Sequence, residues 1–137
     1  MTLSGIDLAD ALVFLGRDPK RPPREHSTVD TVSAALDRYG FTRALLTPTR
    51  PSYLDPAYAN QQVFAASRAD PRIIPCPAAC PDFCGPVDDD ATYVDELIRR
   101  GARAVSFYPI DFTAGLAPQV VGGFLAALER RRMPLIL

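Results

Sequence analysis

Apolar runs recur about every thirty residues along the chain, and this spacing is the strongest constraint on its fold. They begin near Ala44, Ile73, Arg103 and Pro134, and segments with helical periodicity separate them. One strand with its crossover helix takes about thirty residues. Uninterrupted apolar runs are typical of parallel strands buried on both faces. The sequence therefore predicts an α/β fold made of repeated parallel (β/α) units.

Helix start and stop signals agree with this repeat. Ser27 or Thr28 can cap the first helix and Gly40 can end it, while Asp55 and Pro56 begin the second. The predicted inward faces are Val29, Val32, Ala35, Leu36 and Tyr39 in the first helix, and Val120, Val121, Phe124, Leu125 and Leu128 in the fourth. The predicted strands are "DALVFLG", "RALLTPT", "RIIPCPA", "ARAVSFYP" and "PLIL".

Two architectures fit such a repeat: an open doubly wound sheet, or part of a (β/α)8 barrel. Neither G-x-G-x-x-G nor G-x4-G-K-[ST] follows any predicted strand, which disfavours the nucleotide-binding folds. A complete barrel needs about 250 residues, whereas these 137 residues supply about four units and one strand. We expect residues 1–137 to form a single incomplete barrel domain, truncated in or after the fifth strand.

Charge and hydropathy exclude some partners. The formal net charge of −1 gives no overall field that would attract nucleic acid. No run approaches the ~20 apolar residues of a membrane span, and "MTLSGIDLADALVFLG" lacks the basic leader of a signal peptide. We expect a cytoplasmic protein that binds neither nucleic acid nor membrane.

The first predicted strand, "DALVFLG", resembles the D-x-H-x-H-x-G that opens the barrel in the amidohydrolase superfamily. The likeness is to the amidohydrolase-related branch of metal-dependent hydrolases and decarboxylases. The segments "ALDRYGFTRALLTPT", "NQQVFAASRADPRIIPCPA", "LIRRGARAVSFYP" and "ALERRRMPLIL" are similar as well. This resemblance implies a TIM barrel, of which the chain is the amino-terminal half.

The family's metal-binding histidines are replaced in this chain. In the family both histidines hold a divalent, zinc-like metal at the barrel mouth. Asp10 matches the acidic position, but Leu12 and Phe14 stand where the histidines belong, and neither has a lone pair to offer. We therefore expect no metal or other cofactor in this chain. Leu12 and Phe14 either fill the top layer of the barrel or line an apolar pocket that contacts a substrate.

Candidate site residues lie where barrel strands are expected to end. Asp10 is the catalytic candidate, as a general base or as an ion-pair partner of Arg17; a buried structural carboxylate is the alternative. The substrate-binding candidates are Leu12, Phe14, Arg17, Thr47, Thr49, Cys76 and Tyr108. The single histidine, His26, falls in a loop and is expected to be solvated or capping.

All three cysteines lie in "CPAACPDFC". Pro77 and Pro81 forbid a helix there. In an extended chain successive cysteines would lie ~13 Å apart, too far for one metal. A turn could bring Cys80 and Cys84 together as a redox pair. We expect three unrelated strand and loop cysteines, with a redox pair or a metal site as the alternatives.

Two functions follow from these observations. In the first, the full-length parent hydrolyses or decarboxylates a small organic molecule, and this chain alone is inactive. In the second, the chain is a non-catalytic barrel remnant that binds a ligand or a partner. In either case, we expect a half barrel to self-associate through its open edge.

Overall fold

Strands and helices alternate in the computed structural model, which describes residues 7–17, 26–49, 55–79, 89–108 and 117–137. The elements in chain order are β1 (Ala9–Arg17), β2 (His26–Ser27), α1 (Val29–Tyr39), β3 (Arg43–Pro48), α2 (Pro56–Ala69), β4 (Ile73–Pro75), α3 (Asp90–Arg99), β5 (Val105–Ser106), α4 (Pro118–Arg130) and β6 (Leu135–Ile136). Within these ranges no helix is long and apolar enough to cross a bilayer.

The strands that alternate with helices are parallel. β1 pairs with β3, β3 with β4, and β5 with β6. A parallel bridge between Ala78 and Ser106 connects the chain after β4 to β5. The strands thus form two sheets, β2-β1-β3-β4 and β5-β6, which this bridge links into an arc in the order β1-β3-β4-β5-β6. The predicted α/β fold with parallel strands is confirmed.

Three local features of the sheet differ from the prediction. The two-residue strand β2 was not predicted, and it pairs antiparallel with Gly16 and Arg17 at the end of β1. The third and fourth predicted strands are shorter than expected, at Ile73–Pro75 and Val105–Ser106. Prolines explain the third strand, because Pro75 and Pro77 have no amide hydrogen to donate to a neighbour.

The apolar core lies between the sheet and the helices. One cluster joins α1 and α2 to the first strands and contains Val32, Leu46, Ala66 and Ile73, with Val13, Leu15 and Val29 packed against it. The other joins α3 and α4 to β5 and includes Phe64, Val94, Leu97, Val105, Phe124 and Leu128. Side chains alternate between the faces of a strand. The opposite face, here called the inner face, therefore carries Phe14, Thr47 and Ser106.

The predicted caps of α1 are confirmed, but its predicted buried face is too wide. Thr28 and Thr31 form a reciprocal capping box, and Gly40 ends the helix at a left-handed φ of 72°. Ala35 and Tyr39 are exposed because only the stripe through Val32 and Leu36 meets the sheet. In the same way Val120 and Leu125 lie on the exposed flanks of α4.

Gly123 explains how α3 and α4 pack closely. A β-carbon at this position would collide with the carboxylate of Asp90 at the start of α3. The glycine lowers the helix propensity of α4, yet it leaves room for the side chain of Asp90. The rings of Tyr93 and Phe124, 6.3 Å apart, continue this contact.

Candidate functional site

Thr47 of β3, Ser106 of β5 and Cys76, which directly follows β4, lie together on the inner face. Their residue exposures are all 0%. The hydroxyl oxygens of Thr47 and Ser106 lie 2.7 Å apart, close enough for one to donate to the other. The Cys76 thiol lies close enough to both hydroxyls for each of them to lower its pKa. Thr47 and Cys76 are among the predicted substrate-binding residues, and that role stays a prediction. Ser106 was not named, because serine in an apolar strand gives no distinctive signal.

Burial decides the chemistry of the Cys76 thiol. Desolvation raises the pKa of the thiol to about 11, although the hydrogen bonds from Thr47 and Ser106 act in the opposite direction. The thiolate is the nucleophilic form of cysteine. At neutral pH Cys76 is therefore a neutral, buried thiol rather than a nucleophile.

Asn60 of α2 supports this cluster from the helix side. Its amide nitrogen donates to the carbonyl oxygen of Ala78 at 2.7 Å, and its amide oxygen accepts from the backbone N–H of Ala78 at 2.8 Å. The side chain thus replaces a neighbouring strand at a point where Pro77 interrupts the ladder. Asn60 was not predicted, although its helical spacing from Val63 and Phe64 places it on the buried face of α2.

Leu12 and Phe14 lie on the face of β1 away from α1. Leu12 is 39% exposed and Phe14 is 41% exposed. Phe14 is opposite Thr47 in the strand register. Aliphatic and phenyl groups offer no ligand atom to a metal. Among the described residues, no group of three His, Cys, Asp or Glu side chains could hold a metal ion. The residues at these positions therefore do not fit a metal.

The structure separates Asp10 from the other candidates. Asp10 lies at the start of β1, opposite Ala44, and is partly exposed rather than buried. Its Oδ1 accepts from the backbone N–H of Leu12 at 3.2 Å, beside an irregularity in the strand register. Seven residue steps of extended chain place Arg17 about 20 Å from Asp10. The predicted position at the strand end and the predicted ion pair with Arg17 were wrong, because Asp10 lies near the start of β1 and Arg17 at its end.

Arg17 and Thr49 lie at a second location, which we call the α1–α2 groove. Its volume is about 790 Å³, and Arg17, Thr49, Tyr58 and Gln62 are among its lining residues. Thr49 donates its backbone N–H to the carbonyl oxygen of Leu15 at 2.8 Å, which fixes it beside the end of β1. The two predicted threonines are therefore at different locations: Thr47 contacts Ser106, whereas Thr49 lines the groove.

The remaining candidates do not join either location. Tyr108 follows β5 and is half-buried. The backbone of His26 belongs to β2, so this histidine is in a strand rather than a loop. Cys80 and Cys84 lie outside the described residues, and the prediction about them stays a prediction.

A comparison with solved structures identifies the fold of the chain but not its family. No protein-family model matches the chain, and no curated protein matches it. One similar solved structure is a probable 2-pyrone-4,6-dicarboxylic acid hydrolase from Acinetobacter baumannii, crystallised with citric acid bound. The TM-score is 0.69 at 18% sequence identity, and the match covers 95% of this chain and 48% of that one. The chain therefore spans about half the length of a TIM-barrel hydrolase and shares its fold over that half.

Proposed function

We propose that the chain is the amino-terminal half of an amidohydrolase-related barrel whose complete form hydrolyses or decarboxylates a small organic molecule. The observation that carries this proposal is the arc of parallel strands, which matches half of a TIM-barrel hydrolase over 95% of this chain. That hydrolase belongs to the amidohydrolase superfamily, in agreement with the resemblance of "DALVFLG". We place the complete protein in the cytoplasm.

The inner face limits the mechanism that this half can supply. Leu12 and Phe14 give an apolar surface where the family holds a metal, and Cys76 is protonated at neutral pH. We therefore derive no metal-dependent step from this half. Its part in the proposed reaction is to bind and orient the substrate on an apolar surface, with Thr47 and Ser106 held beneath it. We expect no turnover by residues 1–137 alone, because catalytic groups would have to come from the other half.

A second candidate is a non-catalytic barrel that binds a small molecule. The observation that favours it is the same exposed pair, Leu12 and Phe14, which offers binding surface but no reactive atom. The first candidate predicts turnover by the complete protein and the second does not. Both predict that ligand binding depends on the inner face.

The test uses the complete gene product beside the 137-residue chain. Hydrolysis of 2-pyrone-4,6-dicarboxylate is followed by loss of pyrone absorbance, decarboxylation of a panel of small acids by CO2 release, and both are repeated after chelation. Turnover by the complete protein supports the hydrolase or decarboxylase. A reading frame that stops at Leu137, or binding without turnover, overturns the enzyme and leaves the second candidate.

A matched pair of variants locates the site. Phe14→Ala should weaken substrate binding or turnover at least several-fold, because it removes a ring from the inner face. Tyr39→Ala removes an exposed ring from α1 and should change neither. Equal effects of the two substitutions would contradict an inner-face site in either candidate.

A further inference from the structure

The two pairs of neighbouring helices differ in how they pack. α3 and α4 are in close contact, with Gly123 against Asp90 and the rings of Tyr93 and Phe124 together. α1 and α2 are joined at one end, where Ser33 of α1 donates to the Asp70 carboxylate at 2.7 Å. Towards the carboxyl ends of β1 and β3 they leave the α1–α2 groove between them.

The groove has an apolar floor and a polar rim. Its volume of about 790 Å³ falls within the range of roughly 300–1,000 Å³ of small-molecule sites. Leu15, Pro48 and Ala66 contribute apolar surface between the two helices. The polar lining residues are Arg17, Ser27, Thr28, Thr49 and Gln62, and Tyr58 adds a ring that is 54% exposed.

We propose that the α1–α2 groove binds a small aromatic monocarboxylate. Arg17 supplies the cation, and its planar guanidinium matches a carboxylate. Thr28 and Val29 line the groove at the amino end of α1, where the helix dipole also favours an anion. The apolar floor and the ring of Tyr58 suit a planar apolar body.

The hydroxyl of Thr49 is an independent observation that points to a ligand. The residue is 9% exposed, so about nine-tenths of it is buried, and it lines the groove. Its hydroxyl makes no hydrogen bond to any other residue that the structure describes. The hydroxyl oxygen is not fully enclosed, so it is accessible from the groove and can donate to a bound group. A carboxylate oxygen bound near Arg17 would accept that hydrogen bond.

Charge in the groove favours a single carboxylate over a di- or tricarboxylate. Arg17 is the one charged side chain among the described lining residues. Asp30, in the first turn of α1, adds a negative charge close to the same helix end. A second carboxylate would therefore have no cation to pair with among the described lining residues. It would also be repelled by the carboxylate of Asp30.

This site is separate from the one in the proposed function. The groove is lined by Leu15, which faces α1, whereas Phe14 and Thr47 face the opposite side of the sheet. Binding in the groove can therefore fail or succeed independently of hydrolysis or decarboxylation.

Equilibrium dialysis of the 137-residue chain against radiolabelled benzoate tests the proposal. The method works whether the protein is monomeric or self-associated. We expect saturable binding of one benzoate per chain. Benzamide, the neutral analogue of the same shape, should not compete, and citrate should compete far less well than unlabelled benzoate. No saturable binding, or equal competition by benzamide, would overturn the proposal.

Single substitutions then test whether benzoate binds in the α1–α2 groove. Arg17→Gln should weaken binding at least about tenfold, as loss of a charge-assisted hydrogen bond predicts, and the isosteric Thr49→Val about three- to tenfold. Arg43→Gln removes an exposed arginine at the opposite end of β3 and should leave binding unchanged. A circular dichroism spectrum shows that each variant is folded. Weakening by Arg43→Gln, or none by Arg17→Gln in a folded protein, would refute the groove as the site.

Discussion

On the inner face, the buried polar side chains interact with one another, so none of them needs a substrate as a partner. Thr47 and Ser106 share a hydrogen bond of 2.7 Å, and both reach the thiol of Cys76. Buried polar groups are costly unless they are paired, so this arrangement keeps three polar side chains inside the sheet at little cost. The arrangement indicates a structural role for the three side chains, on the same face as the exposed Leu12 and Phe14.

The raised pKa of Cys76 predicts slow thiol chemistry and a loss of stability in alkali. The thiol has a pKa of 9.0 when unfolded and about 11 in the fold, so the unfolded chain releases its proton first as the pH rises. Stability should therefore fall between about pH 9 and 11, by at most about 3 kcal/mol. Chemical denaturation of the wild type and of Cys76→Ala over this range measures the difference.

Cys76→Ala is the control, because it removes only the titrating thiol. Its stability at pH 7 should be lower than that of the wild type, yet the decline above pH 9 should be smaller. Alkylation with iodoacetamide, read by peptide mass spectrometry, should leave Cys76 unmodified until denaturant is added. Rapid alkylation of the native protein at neutral pH would contradict a buried neutral thiol.

At the level of elements, Asn60 connects α2 to the chain after β4. Asn60→Ala leaves both the N–H and the C=O of Ala78 without their partner. We expect a loss of roughly 2–4 kcal/mol, since each unsatisfied buried group costs about 1–3 kcal/mol. Urea unfolding followed by circular dichroism measures this loss. Gln62→Ala, an exposed position on the same helix, should cost much less, because alanine also has the higher helix propensity. Similar losses would mean that the contact to Ala78 is not responsible.

The connection between α1 and α2 predicts sensitivity to acid. Hydrogen bonds from Arg72 and Ser33 hold the pKa of the Asp70 carboxyl well below its usual value of 3.8. The carboxylate therefore stabilises the fold above that pH, and the stabilisation is lost as the pH falls below it. Asp70→Asn should be less stable at pH 7 and should lose less stability than the wild type between pH 4 and pH 2.

Asp37 offers the matched comparison for Asp70. It bonds to the same arginine, Arg72, at 2.6 Å, but its side chain is 70% exposed. Exposed ion pairs contribute little because water competes for both charges. Asp37→Asn should therefore change stability less than Asp70→Asn at every pH. A larger loss of thermal stability for Asp37→Asn than for Asp70→Asn would show that the exposed ion pair is the main link between α1 and α2.

Elements that depend on local signals were predictable from the sequence. The thirty-residue repeat gave the parallel strands, and Thr28, Gly40 and Asp55 marked helix ends correctly. Features that depend on distant contacts were not predictable. Ser106 is identified only by its contact with Thr47, and Asn60 only by its contact with Ala78. Asp10 was misplaced because a pattern of residue types does not show where a strand begins.

For the whole molecule, the inner face and the outer edge of β1 determine association. β2 pairs only with Gly16 and Arg17, so no described strand covers the edge from Ala9 to Leu15. Leu12 and Phe14 add exposed apolar side chains beside this edge. An uncovered edge and an apolar face promote association between chains. We expect residues 1–137 to self-associate at concentrations where an ordinary domain is monomeric.

Light scattering after gel filtration tests the expected association, and two variants show which surface causes it. Leu12→Glu combined with Phe14→Glu places charges on the inner face and should shift the protein towards monomer, because like charges repel and the apolar contact is lost. Tyr39→Glu adds a charge at a side chain that is 62% exposed on α1 and should leave association unchanged. A wild-type monomer that unfolds cooperatively would contradict the prediction. Association that persists in the double variant would instead assign the contact to another surface, since only the inner face was altered.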